Sequence, residues 1–303
     1  MSRTHRTTSR TTRRRMLRRE VPGTIGLLAD AGDFAAMRRY RSFTFDDHQD
    51  YLRHVDGLLR SLAAQGIHTT VALFDPEAYA EYCTQNGLDP DTAASRSRFT
   101  AALAGTGPAL PYTGRPVDEI IPLLIDEAVR QATWEYATML LADVGTCADC
   151  GEDIGRSAFE RATAALARLV EGAGPGLHHL VCSVPTPDEQ LVAVLHAETP
   201  DTTDAPSGPP QFAEDREALD FATVLAAGLA LGGPGGLVLR STTPGCTDRV
   251  HGWRLDRGRL VPLSAAAVFN AYCTDADTGD PVAPEPGVEY CPGYEVDGPA
   301  PHH

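Results

Sequence analysis

Apolar positions along the chain alternate between short continuous runs and runs at helical spacing. Residues 24–29 (TIGLLA) form an apolar run of strand length. Tyr51, Val55, Leu58, Leu59 and Leu62 then recur on one helical face. Thr44 and Asp47 stand at the N-cap and N3 positions of a capping box before that face, and Gly66 follows its end. Residues 67–74 (IHTTVALF) read as a second strand. Strand, helix and strand in this order predict a parallel crossover.

Asp75-Pro76 opens a further helix that Gly87 closes, with Asp as N-cap and Pro at the first helical position. Asp89-Pro90 starts the next, running through Phe99 to Leu103. A long amphipathic helix begins at Pro116 and runs through Trp134 and Met139 to about Asp143, with Pro122 restricting its first turns. Residues 157–171 are helical, and residues 177–184 and 191–197 are antiparallel strands joined by a Pro/Asp turn. Residues 198–211 (ETPDTTDAPSGPPQ) read as a loop or linker, and residues 214–231 as an Ala/Leu-rich helix. Residues 236–241, 250–255 and 260–263 are strands, the last two meeting at Asp256-Arg257-Gly258, and residues 264–273 are a short helix.

The pattern predicts an α/β N-terminal half with a parallel strand–helix–strand core, followed by an α+β C-terminal half with antiparallel strands. The expected organisation is a disordered Arg-rich arm (1–20) and an α/β domain (21–143), then a CxxC loop, helix and hairpin (144–197). A linker loop (198–211), an α+β segment (212–280) and a Pro/Gly-rich tail (281–303) complete it. No internal repeat of solenoid period is present, and the pattern leaves open whether the halves share a sheet.

Composition removes several chemistries. All 26 basic residues are Arg. Without lysine there is no P-loop nucleotide site, no kinase strand lysine and no Schiff base for pyridoxal phosphate. Charge is uneven, with eight Arg and one Glu in residues 1–20 and 18 Arg against 40 acids in the rest. An acidic body repels nucleic acid and anionic membranes, so nucleic acid could engage only the arm. No apolar run reaches membrane-spanning length. Seven cysteines in 303 residues do not read as a secreted disulfide framework, which points to reduced thiols and a cytoplasmic address.

The arm admits other readings. Met16 offers an internal start. Thr12-Arg13-Arg14-Arg15-Met16-Leu17-Arg18 resembles a twin-arginine export motif, with Ala29-Asp30-Ala31 as a small-x-small cleavage site. The only apolar stretch that could serve such a signal is short, contains Pro22, Gly23 and Gly26, and makes a better first strand.

Two constellations could carry chemistry. Cys147-Ala148-Asp149-Cys150-Gly151 is a C-x-x-C-G turn that can offer two thiolates to one zinc ion. His179 and Cys182 are the nearest candidates to complete it, provided residues 177–184 form a turn. In a strand, residues three apart leave from opposite faces about 10 Å apart, too far for one ion. Cys246, Cys273, Cys291 and His196 are the other candidate fourth ligands. A redox dithiol is a weaker reading, because a helix precedes the motif where a thioredoxin-type site has a strand.

The second constellation is acidic. Asp30 and Asp33 follow the first strand, and Asp75 and Glu77 follow the second. Ligands of open parallel sheets bind outside the carboxyl ends of strands. Carboxylates there could hold Mg²⁺ for phosphoester chemistry, with Arg38, Arg39 and Arg41 on the phosphate. Helix capping explains Asp75 without any catalytic role.

The glycine-rich residues 232–236 run from helix to strand, opposite to a phosphate loop, and read as a turn. Asp275-x-Asp277-x-Gly279-Asp280 misplaces the glycine and the fifth-position ligand of a calcium loop. H-E-x-x-H and G-x-S-x-G are absent. These observations lead to a binding or regulatory protein without a classical active site, with structural zinc as a candidate cofactor. The alternative is a divalent-metal phosphoesterase or nuclease using Asp30, Asp33 and Asp75.

Overall fold

A computed structural model describes residues 23–200, 216–275 and 278–296. The Arg-rich arm with Met16 and the twin-arginine-like segment lies outside the described residues. So do most of the 198–211 linker, Asp277 and the last seven residues. The chain divides into two compact units, Met1–Gln131 and Ala132–His303. Helices and mixed sheets make an α/β fold. Among the described residues no helix is long and apolar enough to cross a membrane.

The N-terminal unit holds a sheet of order β1-β2-β3, comprising Gly23–Leu27, Thr69–Leu73 and Ala109–Pro111. β1 pairs parallel with β2, Ile25 opposite Val71, as expected from the strand–helix–strand pattern. β3 pairs antiparallel with β2, Val71 opposite Leu110. Its three residues are too few for a period-2 signal.

Each parallel strand feeds a helix capped by an aspartate. Asp30 caps α1 (Ala31–Met37) and accepts the Asp33 amide at 2.8 Å. The sequence pattern predicts a loop here, because only Phe34 and Met37 mark the helix's buried face. Asp75 caps α3 (Pro76–Gln85), accepting the Glu77 and Ala78 amides at 2.7 and 3.2 Å. Between β1 and β2 lies α2 (His48–Ala64), whose N-cap is Asp47 rather than Thr44. Asp47 accepts the Asp50 amide at 3.0 Å, so the helix starts one turn later than the capping box placed it. α4 (Ala93–Thr106) likewise starts late, at N-cap Thr92. The Asp89 side chain instead accepts the Asp91 amide in the preceding turn. α5 (Val117–Asp143) contains Pro122 without ending there, and the division between the units falls within it.

The N-terminal core is aromatic. Phe34, Tyr51, Phe74, Tyr79 and Phe99 are buried among Leu27, Leu59, Val71 and Leu124. Phe74 and Phe99 meet edge to face at 5.1 Å, a favoured aromatic geometry.

The C-terminal unit holds a separate sheet of order β5-β4-β6-β7-β8, with β9 beside β7. β4 (Gly176–Pro185), β5 (Gln190–Thr199), β6 (Gly235–Thr242), β7 (Asp248–Asp256) and β8 (Arg259–Pro262) pair antiparallel throughout. β9 (Val288–Tyr290) joins parallel and was not foreseen. β7 and β8 meet at Arg257 (φ 51°) and Gly258 (φ 70°), the two left-handed positions of a tight hairpin turn.

α6 (Ile154–Ala173), α7 (Arg216–Leu231) and the end of α5 around Ala137 supply the helical part of this core, and a short α8 (Ala265–Tyr272) follows β8. α7 is buried nearly all round, from Ala218 to Leu229. Small residues allow this close approach. A Cβ on Gly228 would stand 2.7 Å from Leu255 and 2.8 Å from Val184. The core here is mostly Ala, Leu and Val with Trp253 and Phe221.

Candidate functional site

A cavity of about 240 Å³ lies in the N-terminal unit. Its apolar lining comes from Leu28, Met37, Phe43, Phe45, Tyr51 and Phe74, and its polar lining from Ser42, Thr44, Arg96 and Thr100. Gly26 of β1 also lines it. A Cβ there would come 2.7 Å from the Phe74 ring and 3.1 Å from Thr100 Oγ1, so glycine is what lets the strand accept both neighbours.

Three segments converge to build the cavity. From α2, Tyr51 reaches the end of β1, where its hydroxyl accepts the Leu28 amide at 3.1 Å and donates to the Gly26 carbonyl at 3.3 Å. Burial pushes the Tyr51 pKa up to about 12, so the phenol stays a neutral donor. One turn earlier, His48 Nε2 lies 3.1 Å from the Leu28 carbonyl. A carbonyl only accepts, so Nε2 carries the hydrogen.

Residues 42–45 form the second segment. Phe43 and Phe45 lie 5.4 Å apart, and Phe45 meets Tyr51 edge to face at 5.3 Å. The third segment is the start of α4. Half-buried Arg96 donates from Nη1 to Ser42 Oγ at 2.7 Å and from Nη2 to the Ser42 carbonyl at 3.1 Å. Asp91 accepts the Ser42 amide at 2.7 Å. That bond, then the Ser42 hydroxyl and Arg41, hold the Asp91 carboxyl below the usual range. The loop that carries two of the cavity's rings is thus tied to α4 by charge-assisted bonds. A guanidinium has five N–H donors, so two bonds to Ser42 do not exhaust it.

The arginines chosen from sequence each have another place. Arg38 ends α1, its amide donating to Phe34 and Ala35 carbonyls. Arg39 donates to the Pro76 carbonyl at 3.4 Å and covers the Tyr40 ring at 4.9 Å. Arg41 lies beside Asp91. Arg96, which sequence reasoning passed over, lines the cavity. Its bonds to Ser42 span 54 residues, and the only local hint is that Arg96 and Thr100 share a helical face.

The acidic residues stand just after the ends of the two parallel strands. Asp33 is raised above the ordinary carboxylate value by burial first, then by the charges of Asp30, Asp75 and Glu77. An oxygen of Asp30 and one of Asp75 are engaged as helix caps. Among the described residues, no three His, Cys, Asp or Glu side chains are placed to share a metal ion.

In the C-terminal unit the C-x-x-C-G segment forms a tight turn. Cys147 N donates to the Glu152 carbonyl and Gly151 N to the Cys147 carbonyl, both at 2.8 Å, with Gly151 at φ 73°. The Cys147 thiol is lowered by the amides of Cys150 and Asp149, then by the Cys150 thiol. The segment holding His179 and Cys182 is strand β4, not a turn. Cys182 is fully buried, and burial pushes its thiol up to about 12. His179 leaves from the exposed face, so no single ion bonds both side chains. His179 instead stacks on His196. Its neighbour His178 is buried, lowered by burial, and bonded to the Gly174 carbonyl at 2.9 Å and Ser241 Oγ at 3.1 Å.

No curated protein and no solved structure matches the chain. Residues 12–115, a span that contains every residue lining the cavity, are similar to a family described as Domain of unknown function (DUF8829).

Proposed function

We propose that this chain is a binding protein whose N-terminal unit takes a small planar aromatic acid into the cavity between β1, the 42–45 loop and α4. The aromatic-lined cavity with half-buried Arg96 on its lining carries this reading. Its volume of about 240 Å³ falls just below the small end of ligand sites, about 300–1,000 Å³. Apolar rings would hold the flat body of the ligand, and Arg96 with Ser42 and Thr100 would orient its carboxylate.

Calorimetric titration with benzoate and 2-naphthoate tests the proposal. Both should bind, and Arg96→Gln should weaken binding about tenfold or more, the worth of one charge-assisted hydrogen bond. Thr100→Phe should abolish it by filling the cavity. Absence of binding by both acids, or affinity indifferent to both substitutions, contradicts the reading.

A further inference from the structure

We propose that His179 and His196 form a two-imidazole binding site for a divalent transition-metal ion on the outer face of the C-terminal sheet. The antiparallel register sets His179 directly opposite His196 on β4 and β5. Their rings stack with centroids 4.8 Å apart and planes 18° apart. Directly opposed strand residues have Cβ atoms about 4.5–5.5 Å apart. Two Zn–N bonds of about 2.0–2.1 Å at a tetrahedral angle need nitrogens about 3.3 Å apart, which side-chain rotation from this pair can supply. Both rings stand on the solvent side of the sheet, where an ion can reach them.

A carboxylate already orients one ligand. Glu217 Oε2 lies 3.3 Å from His196 Nδ1 and accepts the His196 amide at the same distance. An Nδ1–H donated to Glu217 leaves the Nε2 lone pair for a metal, the arrangement that fixes the tautomer of metal-bound imidazoles. Arg240, opposite His179 on β6, is a cation that would oppose an ion. Its charge is met by Asp248 at 2.8 Å and Glu285 at 2.9 Å. Two protein ligands leave further coordination positions open to water or to another molecule's side chain. This site shares no residue with the aromatic cavity and does not depend on what that cavity binds.

The test is titration of the full chain with NiCl₂ in a non-chelating buffer, followed by calorimetry and by paramagnetic broadening of the imidazole Hε1 resonances. Wild type and Cys147→Ser/Cys150→Ser should bind the ion alike, with the His179 and His196 signals broadening first. His179→Asn and His196→Asn should each lose this binding, with circular dichroism unchanged because both side chains stand outside the core. Glu217→Gln should weaken it about tenfold, as loss of an orienting partner does. Binding that survives both histidine substitutions, or that vanishes only with the cysteines, overturns the proposal.

Discussion

The two units solve the same problem with different side chains. The N-terminal unit fills a three-stranded sheet and its helices with rings: Phe34, Tyr51, Phe74, Tyr79 and Phe99. The C-terminal unit seats an almost wholly buried helix among Ala, Leu and Val beneath a larger antiparallel sheet. Rings are rigid and meet at preferred angles, so a core built from them can leave space between them. Small residues let helix α7 approach β4 and β7 closely, as at Gly228 against Val184 and Leu255. The cavity belongs to the ring-built unit, and this contrast is what its chemistry rests on.

Substitutions can break the contrast. Phe221→Ala, a fully buried ring on helix α7, should cost about 3–5 kcal/mol in urea unfolding, because a tight aliphatic core collapses poorly around a lost ring. A cost under about 1 kcal/mol would mean that the C-terminal core is loose. Enlarging side chains should act with opposite sign in the two units. Ala226→Leu should cost about 1–3 kcal/mol by overpacking. Thr100→Leu, pointing extra methyl groups at the cavity, should be neutral or stabilise by up to about 2 kcal/mol.

Smaller effects sharpen the account of the strand ends. Asp75→Ala removes the acceptor for two amides and should cost about 1 kcal/mol. Asp33→Asn should do the reverse. The folded-state pKa of Asp33 is raised, so the folded chain holds that proton more tightly than the unfolded chain. Stability therefore falls as pH rises through the window above the ordinary value of 3.8, and the penalty is complete at neutral pH. Thermal melts should show Asp33→Asn above wild type at about pH 7 and level with it at about pH 3, below the ordinary carboxylate range.

Much of this architecture is legible in the sequence. The apolar runs at residues 24–29 and 67–74, with the Tyr51/Val55/Leu59 face between them, foretell the parallel pair because periodicity and burial are local. The meander from β6 to β8 reads equally well, helped by Arg257-Gly258 at the turn. What escapes is set over long separations or too few residues. β3 and β9 are three residues each. Thr44 and Asp47 are both competent N-caps, and tertiary packing of the 42–45 loop decides between them. The cavity is the least legible part. Arg96 meets Ser42 across 54 residues, and no local pattern encodes which of several arginines turns inward.

Nitrogen-15 amide spectra of the full chain titrated with 2-naphthoate locate the bound ring within the N-terminal unit or outside it. Saturable shifts should concentrate at Gly26, Leu28, Ser42 and Thr100 and be absent in Thr100→Phe. Shifts that gather elsewhere, or that persist unchanged in Thr100→Phe, would contradict binding in the cavity.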